Sequence, residues 1–351
     1  MLMRFRRRLP LIFGVLLVAA AVAVVVVMRK HAPPEPARLL PQGDGFLYVN
    51  LKDLRRAGLP DKMPVVSHDP EYEKFIQATG FDFEHDLDEV AFAVHYPTRP
   101  GAAVEPRYSE VFVGKLQGQR LRDYLRGIAA SVETYRSIDI YSIPMENRTL
   151  RVAILGVDTV AATNHGDPQT IRGMIDRSRK LASPFGGPSL LRKYYKKIAI
   201  TGRYVPFAGL GWAVFRVDPA ADNAASGPVG LSFLFSKPAV VVASVSYFRN
   251  IRFRAEAFTD DEDEAKRVVE QLNTFLSIFH AAEATVGKAG PDPDVKQLFE
   301  SLKVIQNGER AVLTANVPTG FVQKLMTGPS EQIENVMPQA NQPAEKRSNR
   351  P

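Results

Sequence analysis

The sequence predicts an α+β fold, with a mainly antiparallel sheet, helices packed on one face, and one N-terminal transmembrane helix ahead of them. Three observations predict it. Short runs rich in Val, Ile, Phe and Tyr alternate with amphipathic runs over most of the 351 residues, as strands alternate with helices. The run Ile251 to Phe258 sets Ile251, Phe253, Ala255 and Ala257 against Arg252, Arg254 and Glu256; a strand with one wet face reads this way, and it favours antiparallel pairing. A strand, a short polar turn and an amphipathic helix also recur, as in EVFVGKLQGQRLRDYL from Glu110 and VAATNHGDPQTIRGMI from Val160.

The elements are expected in the following order. Leu11 to Met28 reads LIFGVLLVAAAVAVVVVM, without a charge, between Arg8 and Arg29-Lys30. At ~1.5 Å per residue this helix would be about 27 Å long, enough to cross a bilayer. Arg4, Arg6, Arg7 and Arg8 precede it, so residues 1–10 form a basic tip expected in the cytoplasm and the bulk is expected outside it. Ala19 to Ala23 contains A-x-A sites of a cleavable signal peptide, but the apolar run continues to Met28 where a polar region should begin, which favours an uncleaved signal anchor. The resulting expectation is a single-pass protein of the bacterial inner membrane with a periplasmic domain, the membrane contacted through Leu11 to Met28.

Residues 29–43 hold four prolines and read as an extended spacer. Strands are expected at Phe46 to Leu51, Val90 to Tyr96, Glu110 to Leu116, Ile138 to Ile143, Leu150 to Leu155 and Thr159 to Asn164, and then at Ile198 to Tyr204 and Gly211 to Val217. Residues 44–217 thus make one α+β lobe. The stretch DPAADNAASGPVG at 218–230 has linker composition. Residues 231–327, a second lobe or a continuation, offer strands at Leu231 to Ser236, Val240 to Ser246, Ile251 to Phe258 and Arg310 to Val317. The strongest helix is expected from Asp261 to Ala284, where Val268, Leu272, Phe275, Leu276 and Phe279 make one stripe. Others follow Gly118 and Asp167-Pro168, and residues 328–351 read as a disordered tail.

Charge narrows the function. The chain carries 45 Lys+Arg against 38 Asp+Glu, but six of the cations lie in the first thirty residues, leaving 39 against 38. A chain-wide surface for nucleic acid is therefore not expected. With no cysteine there is neither a disulfide nor a thiol nucleophile. The histidines, at 31, 68, 85, 95, 165 and 280, form no H-E-x-x-H, and no phosphate loop or nucleophile elbow is present. No catalytic residue and no cofactor is assigned.

Two clusters remain as candidates. Asp82, Glu84, His85, Asp86 and Asp88 form the densest run of acids with a histidine, a candidate metal or carboxylate site as well as an ordinary solvated turn. Arg192, Lys193, Lys196 and Lys197 surround Tyr194-Tyr195 and are candidates for contact with an anionic surface. The acids Asp260 to Glu264 read as the capped start of the strongest helix, Thr259 with Glu262 matching a capping box.

LLPQGDGFLYVNLKDLRRAG (Leu39 to Gly58), TGFDFEHDLDEVAFAV (Thr79 to Val94), YSEVFVGKL and RTLRVAILGVDTVAATN resemble a family of uncharacterised bacterial membrane-anchored proteins with a large exported domain of unknown function. The resemblance covers the first half of the exported part, implies an envelope-facing bacterial protein, and supplies no catalytic residue. The function expected from the sequence is an adaptor-like interaction protein with an envelope protein as partner. The alternatives are an anchored envelope hydrolase and a binder of anionic lipid or polymer.

Overall fold

The computed structural model describes residues 33–56, 70–96, 105–179, 187–201, 209–219, 231–247, 251–285 and 293–321. They fold as α+β around one antiparallel sheet of twelve strands. The strands are β1 (Gly45–Asn50), β2 (Leu87–His95), β3 (Arg107–Gly114), β4 (Ser131–Tyr135), β5 (Ile138–Met145), β6 (Arg148–Ile154), β7 (Thr159–Thr163), β8 (Gly209–Val217), β9 (Ala239–Tyr247), β10 (Ile251–Phe258), β11 (Lys303–Gln306) and β12 (Arg310–Val317). Their order across the sheet is β11-β12-β10-β9-β8-β1-β2-β3-β7-β6-β5-β4.

Helices cover both faces, which corrects the expectation of one. On the first face α1 (Glu35–Leu39), α6 (Gln169–Ser178) and α7 (Ser189–Thr201) enclose a core with Phe46, Tyr48, Ala91, Val111, Ala161 and Trp212. The small side chains of Ala91, Ala93, Ala153 and Ala161 let α6 sit close, and its Ile171, Met174 and Ile175 have no exposed surface. On the second face lie α2 (Leu51–Arg56), α3 (Pro70–Thr79), α4 (Phe83–Asp86), α5 (Gly118–Ile128) and α8 (Glu262–Thr285), over Val90, Phe112, Val160 and Ala257. The physical reason is in β2, where Val90, Ala91, Phe92 and Ala93 run without a polar alternate; a strand covered on both sides reads this way. The expectation generalised the alternation of β10, which sits near an edge.

The first face also corrects the spacer. Pro34 to Leu40 is part of the fold: Pro34 occupies the N-cap position of α1 and its carbonyl accepts the Arg38 amide at 3.2 Å, Pro36 fits the first turn, and Ala37 and Leu40 are buried. The expected transmembrane helix at Leu11 to Met28, the basic tip, the 328–351 tail and most of the 218–230 linker lie outside the described residues. Among the described residues no helix is long and apolar enough to cross a membrane. The assignment of a single-pass, signal-anchored inner-membrane protein with a periplasmic bulk is therefore corrected and not carried further. The longest described helix, α8, has 24 residues, and Glu262, Asp263, Glu264, Lys266, Arg267 and Glu270 in its first half exclude it from a bilayer.

Two expected strands are helical: Ile198 to Thr201 ends α7, and Leu231–Leu234 is a 3-10 turn. Edge strands β4 and β11 were not expected. At the start of α8 the cap is Asp261, whose Oδ1 accepts the Glu264 amide at 2.8 Å, so the box of Thr259 and Glu262 is replaced by a simple acidic cap.

The strand order divides the sheet into two topologically alike halves, and the boundary falls before α7 instead of at 218–230. In each half a helix leads into a three-strand meander (β1-β2-β3 and β8-β9-β10), a second helix follows (α5 and α8), and the last strand (β7 and β12) returns beside the third. The turns match as well: Gly114 N donates to Asp158 O as Thr259 N donates to Glu309 O. Along the ladders Tyr48, Ala91, Val111, Ala161 and Ala153 form one row. Val214, Val242, Glu256, Val312 and Ile305 form its counterpart. β1 and β8 pair antiparallel with Leu47 opposite Ala213, Tyr48 opposite Trp212 and Phe46 opposite Val214. A quasi-two-fold axis normal to the sheet therefore passes between Leu47 and Ala213.

The junction is tight. A Cβ on Gly211 would lie 2.7 Å from the Tyr48 carbonyl oxygen, a backbone atom that cannot rotate away. Gly211→Ala is expected to lower stability by about 1–3 kcal/mol. Thermal unfolding checks it, and an unchanged Tm would show that the junction relaxes at no cost.

Candidate functional site

The quasi-axis relates two clefts, each beneath the helix that leads into its half. The first has a volume of about 590 Å3, between α1, the ladder from Tyr48 to Val113, and the β6–β7 turn from Leu155 to Thr159. Its charged lining is acidic throughout: Glu35, Glu89 and Asp158. The Tyr48 hydroxyl donates to Glu89 Oε2 at 2.9 Å, and burial followed by the Glu89 carboxylate drives this phenol well above its ordinary range. Tyr48 stacks on Trp212, ring centroids 5.6 Å apart, and Tyr195 of α7 meets Trp212 edge-on.

The second cleft, of about 910 Å3, lies between α7, the facing ends of β8, β9 and β10, and the β11–β12 turn. Four bases line it (Lys193, Lys197, Arg216, Arg310), with four acids (Asp218, Asp260, Glu262, Glu309) and the rings of Tyr194 and Phe258. These rings meet edge-on at 5.1 Å, and Arg310 lies over Phe258 while Lys193 lies over Tyr194. The floor beside it holds a buried charge. The Glu256 side chain, 4% exposed, takes Arg254 Nη2 at 2.8 Å and Arg310 Nη1 at 3.1 Å, so Arg310 is fixed in the cleft by a carboxylate that cannot be left alone.

The sequence candidates fall unequally on these clefts. Lys193 and Lys197 line the second cleft; Arg192 is exposed outside its lining, and the side chain of Lys196 is outside the described ones. The acid cluster lies elsewhere and closes a turn. Asp82 Oδ1 accepts the Glu84 amide at 2.8 Å and the Tyr72 hydroxyl at 3.2 Å, while its Oδ2 meets His85 Nδ1 at 2.6 Å. Asp86 Oδ2 accepts the Asp82 amide, and Asp88 pairs with Arg55 at 2.5 Å. Ligand atoms of Asp82, Glu84 and His85 do lie within 4.8 Å of one another, but the Asp82 oxygens are directed at the turn they cap.

Sequence reasoning missed two features. Arg216 and Arg310 stand 94 positions apart, and only the closure of the sheet brings them to α7. The second is a chain of hydroxyls and histidines at the opposite end of the first face. His95 Nε2 is 2.9 Å from Ser109 Oγ, which is 2.8 Å from Thr163 Oγ1, and the rings of His95 and His165 meet at 5.2 Å. Ser109 has no exposed surface, so its hydroxyl meets no substrate in this conformation and the serine–histidine pair joins β2, β3 and β7.

No family model and no curated protein matches the chain. Among solved structures it is similar to two crystal forms of the protein TP0453, each at 10% identity. Crystal form I superposes with a TM-score of 0.47 over 86% of this chain and 97% of that one, and form IV with 0.42 over 84% and 96%.

Burial, then the neighbouring His165, lowers the His95 imidazole to about 4. The unfolded chain, with the ordinary value near 6.5, takes up this proton first as pH falls, so the contribution of neutral His95 to stability is lost between pH 6.5 and 4. His95→Gln is expected to flatten that fall, by on the order of 2 kcal/mol after discounting for the partial solvation of the ring. Melting curves of both proteins at pH 7, 5.5 and 4 check it; parallel losses would refute it.

Proposed function

We propose that this protein is a binding module without catalytic chemistry of its own, and that its second cleft receives a mixed-charge polypeptide segment of a partner protein. One observation supports the reading above the rest: bases and acids from α7, β8, β12, the start of α8 and three connecting segments converge in equal number on one cleft beside two aromatic rings. A polyanion such as a lipid surface or a nucleic acid would bring its charges against Asp218, Asp260, Glu262 and Glu309 as well as against the bases. A peptide carrying both signs and an apolar side chain satisfies both rows, and its apolar part covers Tyr194 and Phe258. The volume, at the upper end of small-molecule sites, suits a few residues in extended form. The hydrolase alternative lacks support: the acid cluster is committed to its turn, and Ser109 is sealed.

The test is an array of dodecapeptides of graded charge pattern, probed with the wild type and with a Lys193→Glu, Lys197→Glu double variant. Both positions are exposed, so the fold should persist. Retention of mixed-charge peptides over purely acidic ones is expected, with a loss of tenfold or more in the variant. Retention of heparin or of phosphatidylglycerol vesicles in place of peptides would overturn the reading.

A further inference from the structure

We propose that the outer edge of β11 is a self-association surface, on which a second copy of this chain docks about a two-fold axis and continues the sheet through β11 of both copies. The first half of the molecule shows what such an edge accepts. β6 is the counterpart of β11, Arg151-Val152-Ala153 matching Lys303-Val304-Ile305 through the paired Thr163 and Thr314. Beyond β6 lies β5, with Ile140 opposite Ala153 and Tyr141 opposite Val152. Ala153, Ile140 and Tyr141 are all buried. Beyond β11 no strand stands among the described residues, and Ile305, where Ala153 is sealed, is 56% exposed.

The register of the pairing follows from the turn. Asn307 N donates to Arg310 O, so with antiparallel alternation Ile305 and Lys303 bond to β12 while the amides and carbonyls of Val304 and Gln306 point outward. A two-fold axis normal to the sheet keeps each face on its own side, so only residues of like parity can meet. Centred on Ile305, it sets the two isoleucines opposite one another as a close, non-bonded pair. Val304 then exchanges two hydrogen bonds with Gln306 of the mate, and Lys303 stands opposite Asn307. No like charges are opposed, and each outward group of the strand finds a partner.

The second face supplies the rest of the contact. α8 lies over β11 and β12, and Phe275 and Ile278 on it are 45% and 62% exposed. Its symmetry mate would lie two strand spacings away, about 10 Å at ~4.8 Å each, which is the distance at which helices pack. In the first half the corresponding place beside α5 is filled by β5, whose Tyr141 packs with Leu121 and Leu125. A four-residue edge alone buries too little for a stable dimer, and the antiparallel pair of α8 helices adds the apolar area that such an interface needs.

The absence of cysteine from the chain gives a direct test on the full-length protein. In a close antiparallel pair the Cα atoms are roughly 4.5 Å apart, within disulfide range. Ile305→Cys is therefore expected to form a covalent dimer under mild oxidation at least ten times faster than Val157→Cys, a control 89% exposed at the β6–β7 turn. Adding Val304→Pro removes an outward donor without touching the β12 ladder and should return the rate to that of the control. Equal rates for Ile305→Cys and Val157→Cys, or crosslinking of the Ile305→Cys variant only to another protein, would overturn the proposal.

Discussion

The antiparallel pairing of β1 with β8 is the constraint on which the rest depends. It is the only ladder between the two halves among the described residues, and it sets them in one register, with Leu47 and Ala213 on the quasi-axis. Glycine is required where the strands meet bulky neighbours: a Cβ on Gly45 would come within 2.8 Å of Val94 Cγ1, and one on Gly211 would meet the Tyr48 carbonyl. The stack of Tyr48 on Trp212 then carries the first-face core across the junction, and α7 of the second half closes over it through Tyr195. A cleft for each half follows, since each leading helix spans one meander and stops short of the last turn.

The halves share a scaffold and differ in what they place on it. Val111 of the first row is matched by Glu256 in the second, Thr159 by Arg310 and Ser109 by Arg254. Introducing a carboxylate at a row position only 3% exposed would be prohibitive for Glu256 alone, and the two arginines arrive from its own strand and the next to neutralise it. The same exchange gives the second cleft its basic wall, with Arg310 held between Glu256 and Phe258. Two strands away in the row of Thr159 and Arg310 the exchange runs the opposite way: Glu89 on β2 is matched by Val240 on β9, and the first cleft is left acidic.

What was legible in the sequence is what local chemistry decides. Ten strands were marked by β-branched and aromatic runs, and α8 by its stripe through Val268 and Leu272, because burial demands those letters wherever they fall. Ile198 to Thr201 reads as a strand by composition, yet it continues the turns begun at Leu190 and Leu191, which are anchored in the first-face core. β4 and β11 are only five and four residues long and end the sheet among the described residues, and such short strands are marked by pairing, which no local pattern records. The site was half legible. Lys193 and Lys197 share one helix and were visible as a cluster, whereas Arg216, Arg310 and the facing acids belong to the cleft only through the ladders from β8 to β12.

The two edges of the sheet show how differently one chain manages the same hazard. An unpaired strand offers its amides and carbonyls to any extended chain, and charge at its centre is a common defence. On β4 that defence is present: Glu133 sits at mid-strand, held by Arg172 of α6, so a second β4 paired symmetrically there would oppose two carboxylates. Arg136 and Ser137 close its hairpin with positive φ angles and add a cation, paired with Asp176, at the corner. β11 has its charge at Lys303, away from the centre, and Ile305 in the middle. Among the described residues the hairpin of β4 and β5 has no counterpart in the second half, and it covers the edge of β6 that corresponds to the outer edge of β11. Among the described residues nothing equivalent to Glu133 stands on β11, and that difference is what leaves its edge available to the pairing proposed for a second copy.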